Sequence, residues 1–233
     1  MIFSLIIPIF LILFFALNIL LPHLIKKIWR MHFLKWASNS GKIFLTFDDG
    51  PEKLNTELIL DILKNHGIHA TFFVLGVNVK NNLLLTQRII NEGHIIGIHG
   101  YNHLHPWKIL PWRGMLDLSN GKKMLEKNGI KTIYVRPPYG KLNLFSLIYI
   151  LINHLTFIHW NIDPEDYNQC DSVTLSEQLK NKIQKGKVVL LHDGRCPGTF
   201  PGDVTVKGLD DFLENTNVSS VEFSALPVNG LLT

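Results

Sequence analysis

The chain has 233 residues, 46% of them hydrophobic, and a formal charge of +4. That is enough for one sizeable core and excludes a disordered or low-complexity protein. Its Lys and Arg residues are scattered, with no Arg-rich helix and no basic stripe interleaved with aromatics, which argues against nucleic acid as a partner.

The first 25 residues carry no Lys, Arg, Asp or Glu, and Ile2 to Leu21 is nearly continuously apolar apart from Ser4 and Asn18. A run of that length crosses a bilayer core. A cleaved signal peptide has a basic leader before its apolar run and small residues at the cut, and neither is present, so residues 1–25 are expected to be an uncleaved anchor. Lys26, Lys27, Arg30 and Lys35 follow, and this one-sided charge places the C-terminal flank in the cytoplasm. Residues 26–41 read as a basic juxtamembrane linker, a connector from Met31 to Gly41, and 42–233 as the folded domain.

From Lys42 the pattern alternates. "KIFLTF" reads as a strand ending in an Asp-Asp-Gly-Pro turn, and "NTELILDILKNHG" as a helix with Asn55 as N-cap and Gly67 as stop. "HATFFVLG" and "IIGIHG" are buried-type strands around a helix in "NLLLTQRIINEGH". Further on, "LDLSNGKKMLEKNG", "NLFSLIYILINH", "TLSEQLKNKIQKG" and "VKGLDDFLENT" read as helices, and "TIYVRPPYG", "TFIHWNID", "KVVLLHDG" and "SSVEFSAL" as strands. Such alternation implies parallel βα units, closed as a barrel or wound as an open sheet, with chemistry at the C-terminal strand ends.

The polar groups stand at those ends. Asp48 and Asp49 are adjacent carboxylates that repel each other unless a positive group lies beside them. "HGYNH" sets His99 and His103 four apart, and with Asp49 they offer two nitrogens and one oxygen to a divalent cation, leaving a position open for water. Asp48, near the ion but not on it, is then placed to act as general base. In "RPPYG", Arg136 can hold Asp48 through a bidentate bond, and the backbone N–H near Tyr139 can donate to an oxyanion. His192 in "LLHDG" suits a general acid, with Asp163 and Asp166 of "WNIDPEDY" as candidate carboxylates to raise its pKa.

Five motifs, "TFDDGP", "HGYNH", "RPPYG", "DPEDY" and "LLHDG", occur in that order between Lys42 and Gly194. Together they resemble the polysaccharide deacetylase family, the NodB-homology group of carbohydrate esterase family 4. The resemblance implies a deformed (β/α) barrel of about seven strands, preceded here by the N-terminal transmembrane helix. It also implies roles: Asp48 as base, Asp49, His99 and His103 as ligands of zinc or of cobalt, nickel or manganese, and Arg136 as the residue orienting Asp48. Tyr139 gives its amide to the oxyanion, Asp163 tunes His192, and His192 protonates the leaving amine. Gly100 departs from the usual Ser or Thr after the first metal His, and Tyr167 from the usual Trp.

The expected activity is metal-dependent removal of an amide-linked acyl group from an amino sugar, acetate from N-acetylglucosamine units above all. A lipid-linked amino sugar at the cytoplasmic face is the alternative substrate, and a non-catalytic carbohydrate-binding protein is the alternative class. Trp107, Trp112 and Trp160 are candidates for stacking on sugar faces, whereas Trp29 and Trp36 suit a membrane interface. Cys170 and Cys196 are either a disulfide in an exported protein or two free thiols.

Overall fold

A computed structural model of the chain describes residues 2–168, 171–194, 203–216, 222–228 and 230. Cys170 and Cys196, whose pairing the sequence leaves open, lie outside the described residues. Six strands, β1 (Phe44–Asp48), β2 (Thr71–Val74), β3 (Ile95–Ile98), β4 (Tyr134–Val135), β5 (Thr156–Phe157) and β6 (Val188–His192), form one parallel sheet in the order β5-β4-β3-β2-β1-β6. Their near-continuous burial is that of strands covered on both faces.

The sheet curls. Beyond β5 the chain crosses to β6, where Ile162 N donates to Val188 O (3.1 Å) and Leu190 N donates to Ile162 O (2.9 Å). This single bridge ties the chain beyond β5 to the opposite edge strand, so that the sheet is curled as a half-barrel. The described part of "SSVEFSAL", expected to be a last strand, forms a single parallel bridge from Phe223 to Ile43.

Nine helices lie among the described residues: α1 (Ile2–Phe15), α2 (Leu21–Ser40), α3 (Lys53–Asn65), α4 (Gly76–Asn81), α5 (Leu83–Asn91), α6 (Pro111–Lys127), α7 (Leu144–Ile152), α8 (Ser172–Lys182) and α9 (Asp203–Glu214). The N-cap of α3 is Glu52, whose carboxylate accepts from Asn55 N, rather than Asn55, which is buried. Asp171 caps α8 and starts it before the Thr174 that opens the predicted helix.

Helices α1 and α2 are joined by a π-helical stretch, Ala16–Leu20. The expected connector over 26–41 is instead helical and packed. Phe33 and Ala37 are buried in a cluster with Phe44, Phe73, Tyr134, Ile158 and Val188, and the Trp36 ring lies tilted 5.3 Å from Phe44. Trp29 packs 6.0 Å from Phe157. The apolar residues within the basic stretch, spaced at helical intervals, are what dock it. Phe33→Ala is therefore expected to destabilise the folded domain by about 3–5 kcal/mol, read as a lower unfolding midpoint. A cost under about 0.5 kcal/mol, the scale of a surface change, would mean the helix is only tethered.

Candidate active site

Sheet register assembles the site before any side chain is considered. Asp48 is the Cα partner of His192 across β1 and β6, and Ile98 pairs with Val135, so His99 and Arg136 leave their strands side by side. Asp48, Asp49, His99, His103, Arg136 and Tyr139 meet one another directly, and His192 meets Asp166. Asp49, His103 and Tyr139 have left-handed backbones, with φ of 75°, 57° and 58°. Such non-glycine conformations cost about 1–3 kcal/mol each and concentrate at functional sites. Gly50 is required by a close approach: a Cβ there would sit 2.0 Å from Asp193 Oδ2.

His99 Nε2 lies 3.3 Å from Asp49 Oδ1, and His103 Nε2 lies 3.2 Å from the same oxygen. Ligand atoms of the three residues fall within 4.8 Å of one another. His99 Nδ1 is 2.6 Å from Arg136 O, which can only accept, so the proton sits on Nδ1 and the Nε2 lone pair faces Asp49. Asp49 Oδ1 is buried without a hydrogen-bond partner. A buried carboxylate oxygen left unpaired between two imidazole nitrogens fits a divalent cation.

The charge states of Asp49 and His103 are those of ligands. Burial works to raise Asp49, but its closeness to His99, with help from His103 and His192, holds it well below the carboxylate range. Burial lowers His103 to about 4, leaving the neutral ring a ligand needs. Burial opposes a charged His99, yet the charges of Asp48 and Asp49 outweigh it and raise the ring.

Arg136 is fully buried, its guanidinium 4.2 Å from the Phe73 ring centroid and 5.4 Å from that of Trp160. Its Nη1 donates to Asp48 Oδ1 (2.7 Å) and to Thr46 Oγ1 (2.8 Å). The expected bidentate bond is thus a single one, with Asp48 Oδ2 lying 3.7 Å from His99 Nε2. Trp160 is half-buried beneath the site and stacks on His159 at 4.2 Å, while Trp107 and Trp112 are exposed.

The carboxylate on His192 is Asp166, not Asp163. Asp166 Oδ1 lies 2.7 Å from His192 Nδ1, and its Oδ2 accepts from His192 N and from Thr205 Oγ1. Asp163 spends its Oδ1 on the Glu165 amide in a local turn (2.9 Å), and it is Asp166 that hydrogen-bonds the ring. Burial works against a charged His192, but the charge and hydrogen bond of Asp166 outweigh it, and the ring is raised to about 10. Tyr167 meets the same ring edge-on at 5.3 Å. Tyr139 lies 4.6 Å from His103 and 4.7 Å from His105, ring to ring.

Two buried acids went unread in the sequence. Asp193 accepts from Gly50 N and Thr56 Oγ1, tying the "HDG" turn to the "DDGP" turn. Asp117 on α6 accepts from Asn102 N (2.9 Å) and steadies the loop carrying His103. It also accounts for Gly100, where φ is 93° and a Cβ would lie 2.3 Å from Asp117 Oδ2. An acid on the buried face of an amphipathic helix was the available signal.

A parallel half-barrel whose strand ends gather water-activating carboxylates and imidazoles has the layout of a hydrolase. The chain belongs to the polysaccharide deacetylase family, whose family model matches residues 36–148. It is 30% identical over 193 residues to a peptidoglycan-N-acetylglucosamine deacetylase of Bacillus cereus, covering 81% of this chain and 68% of that one. Identity to a chitooligosaccharide deacetylase of Rhizobium leguminosarum bv. trifolii is 32% over 183 residues, covering 75% and 81%. Among solved structures it resembles a peptidoglycan N-acetylglucosamine deacetylase in complex with an N-oxidanyl-benzamide, at TM-score 0.71 and 31% identity, covering 80% and 86%.

Proposed function

We propose that the chain is a membrane-anchored, metal-dependent amidohydrolase that releases acetate from N-acetylglucosamine units of a glycan. Residues 1–25 form the anchor and 42–233 the catalytic domain. The observation that carries this reading is the unpartnered Asp49 Oδ1, held between the His99 and His103 rings within reach of Asp48. The relatives' names supply the substrate class.

Asp49, His99 and His103 would hold the ion, zinc by its two-imidazole, one-carboxylate donor set. When bound, such a cation polarises the acyl carbonyl and lowers the pKa of water to about 7. Asp48 takes the proton of the attacking water on Oδ2, while Arg136 fixes Oδ1. The Tyr139 N–H donates to the oxyanion as the carbonyl carbon becomes tetrahedral. With Nδ1 engaged by Asp166, His192 gives its Nε2 proton to the nitrogen as the carbon–nitrogen bond breaks, yielding the free amine and acetate.

Acetate release from N-acetylglucosamine oligomers by the purified full chain is expected to fall to background in chelator and to return with zinc. Release that survives chelation would overturn metal dependence. Glycan binding without release by a metal-loaded sample would favour the binding-protein class.

A second substrate, a lipid-linked amino sugar, is favoured by one contact: Lys26 Nζ donates to Gly140 O (3.0 Å), which brings the end of the apolar span to the catalytic rim. The basic flank of the span supports a cytoplasmic catalytic domain. A reporter fused to Thr233 that is active only outside the cytoplasm would overturn that orientation.

A further inference from the structure

Helix α7 reads "LFSLIYILI", apolar nearly all round. Helices of that kind are buried on every side, in a core or in a membrane. Here one side is buried, through Leu147, Tyr149 and Ile150, while Phe145, Ile148, Leu151 and Ile152 are exposed, Ile152 by 66%. On the neighbouring α6, Trp112 and Leu116 are also exposed, as is Leu110 just before it. The two helices are locked together. Asn143 Nδ2, at the start of α7, donates to Pro106 O and Pro111 O, and a Cβ on Gly114 would lie 2.9 Å from Ser146 Oγ. Their exposed side chains form one apolar face, and such a face marks an interaction site.

Two observations identify what covers it. The first is continuity: α7 packs against Ala16–Leu20 and against α2. These belong to the one helix long and apolar enough to cross a membrane among the described residues, in which an apolar stretch of 18 residues has a mean hydropathy of 2.3 and is 11% buried. The second is charge. No Asp or Glu occurs before Asp48, between Gly93 and Leu116, or between Lys127 and Ile162, and of the two acids on α6 Asp117 is buried and Glu126 pairs with Lys122. Lys27, Arg30, Lys108 and Arg113 are exposed there. Lys141 Nζ lies 4.8 Å from the Trp107 ring centroid, and Trp107 Nε1 donates to Leu142 O. Trp and Lys at the edge of an apolar face match the headgroup level of a bilayer, and anionic lipid attracts the remaining cations.

We propose that the α6–α7 face docks into an anionic bilayer beside the span and holds the catalytic rim at the membrane surface. The inference rests on the anchor reading above, and goes beyond it: the domain lies against the membrane instead of hanging from a tether. Glycan amides carried close to the bilayer are then the ones within reach of the site.

The test uses the full chain, with Cys170→Ser and Cys196→Ser, reconstituted in vesicles of phosphatidylcholine and phosphatidylglycerol. One bimane label is attached through Ile12→Cys, Ile148→Cys or Leu84→Cys, and quenching by lipids brominated along the acyl chains is read. Leu84 is 82% exposed on α5, outside the face, and serves as control. Quenching at positions 12 and 148 but not at 84 is expected. Quenching at 12 alone would overturn the docking face and leave the anchor standing; a second copy of the chain covering the face would give that same result. No quenching at 12 would overturn the anchor and the docking face with it, and quenching at all three positions would overturn the assignment to this face.

Discussion

Asp48→Asn is expected to lower kcat/KM for acyl release by about 100- to 10,000-fold, the range for a general base, with the metal content of the protein unchanged. Asn keeps the shape of the carboxylate and an oxygen to accept from Arg136 Nη1, so geometry is largely preserved while the capacity to take a proton is lost. Stability falls as well, because the Arg136 guanidinium is fully buried and its Nη1 to Asp48 Oδ1 bond of 2.7 Å joins it to a carboxylate. Removing one charge from a buried pair costs about 3–5 kcal/mol, and the retained acceptor moves the loss toward the lower end. Rates are therefore to be compared well below the unfolding midpoint of the variant. Turnover within a few-fold of the parent, with metal bound, would remove Asp48 from the base role.

The alternation of strands and helices, and the placement of chemistry at strand ends, were legible because parallel strands buried on both faces leave short apolar runs that stop at polar turns. The metal-type triad was legible for a related reason: Asp49, His99 and His103 each sit at or just past the end of such a run. What escaped depended on the third dimension. Asp163 and Asp166 are three residues apart in one motif, and nothing in their spacing says which one the turn sends back to β6. The left-handed Glu165 and the short helical turn Asp166–Asn168 decide it. The single bond from Arg136 to Asp48 likewise depends on geometry, since Arg136 Nη1 is shared between Asp48 Oδ1 and Thr46 Oγ1, and pairwise reading of motifs does not register Thr46. Helix α2 was read as a linker because its charge masked its period. Phe33 and Ala37 lie four apart, on one buried face, in a stretch that also carries Lys26, Lys27, Arg30 and Lys35.

The correction at Asp166 carries the second large effect. His192, raised to about 10, is protonated throughout the neutral range and can serve as an acid there. Burial alone would lower it, and among the groups that raise it Asp166 comes first, ahead of Asp49 and Asp48. A cation on the triad would offset the pull of Asp48 and Asp49, not that of Asp166. In Asp166→Asn, burial then dominates, and the ring is expected to titrate below its ordinary value of about 6.5. At pH 8 the acid form becomes a minor species, and kcat is expected to fall on the order of 100-fold. The basic limb of the pH–rate profile should move down accordingly. The stability sign follows the same way: a histidine raised in the folded state stabilises it below about pH 6.5, and that contribution fades as pH rises through about 10. Asp166→Asn should reverse this dependence, with stability lost as pH falls below about 6.5. Asp163→Asn should leave both the basic limb and the stability profile nearly in place, since its carboxylate serves the Glu165 amide. If Asp163→Asn shifts the limb and Asp166→Asn does not, the acid's partner is Asp163 after all, and the short bond to Asp166 is only structural.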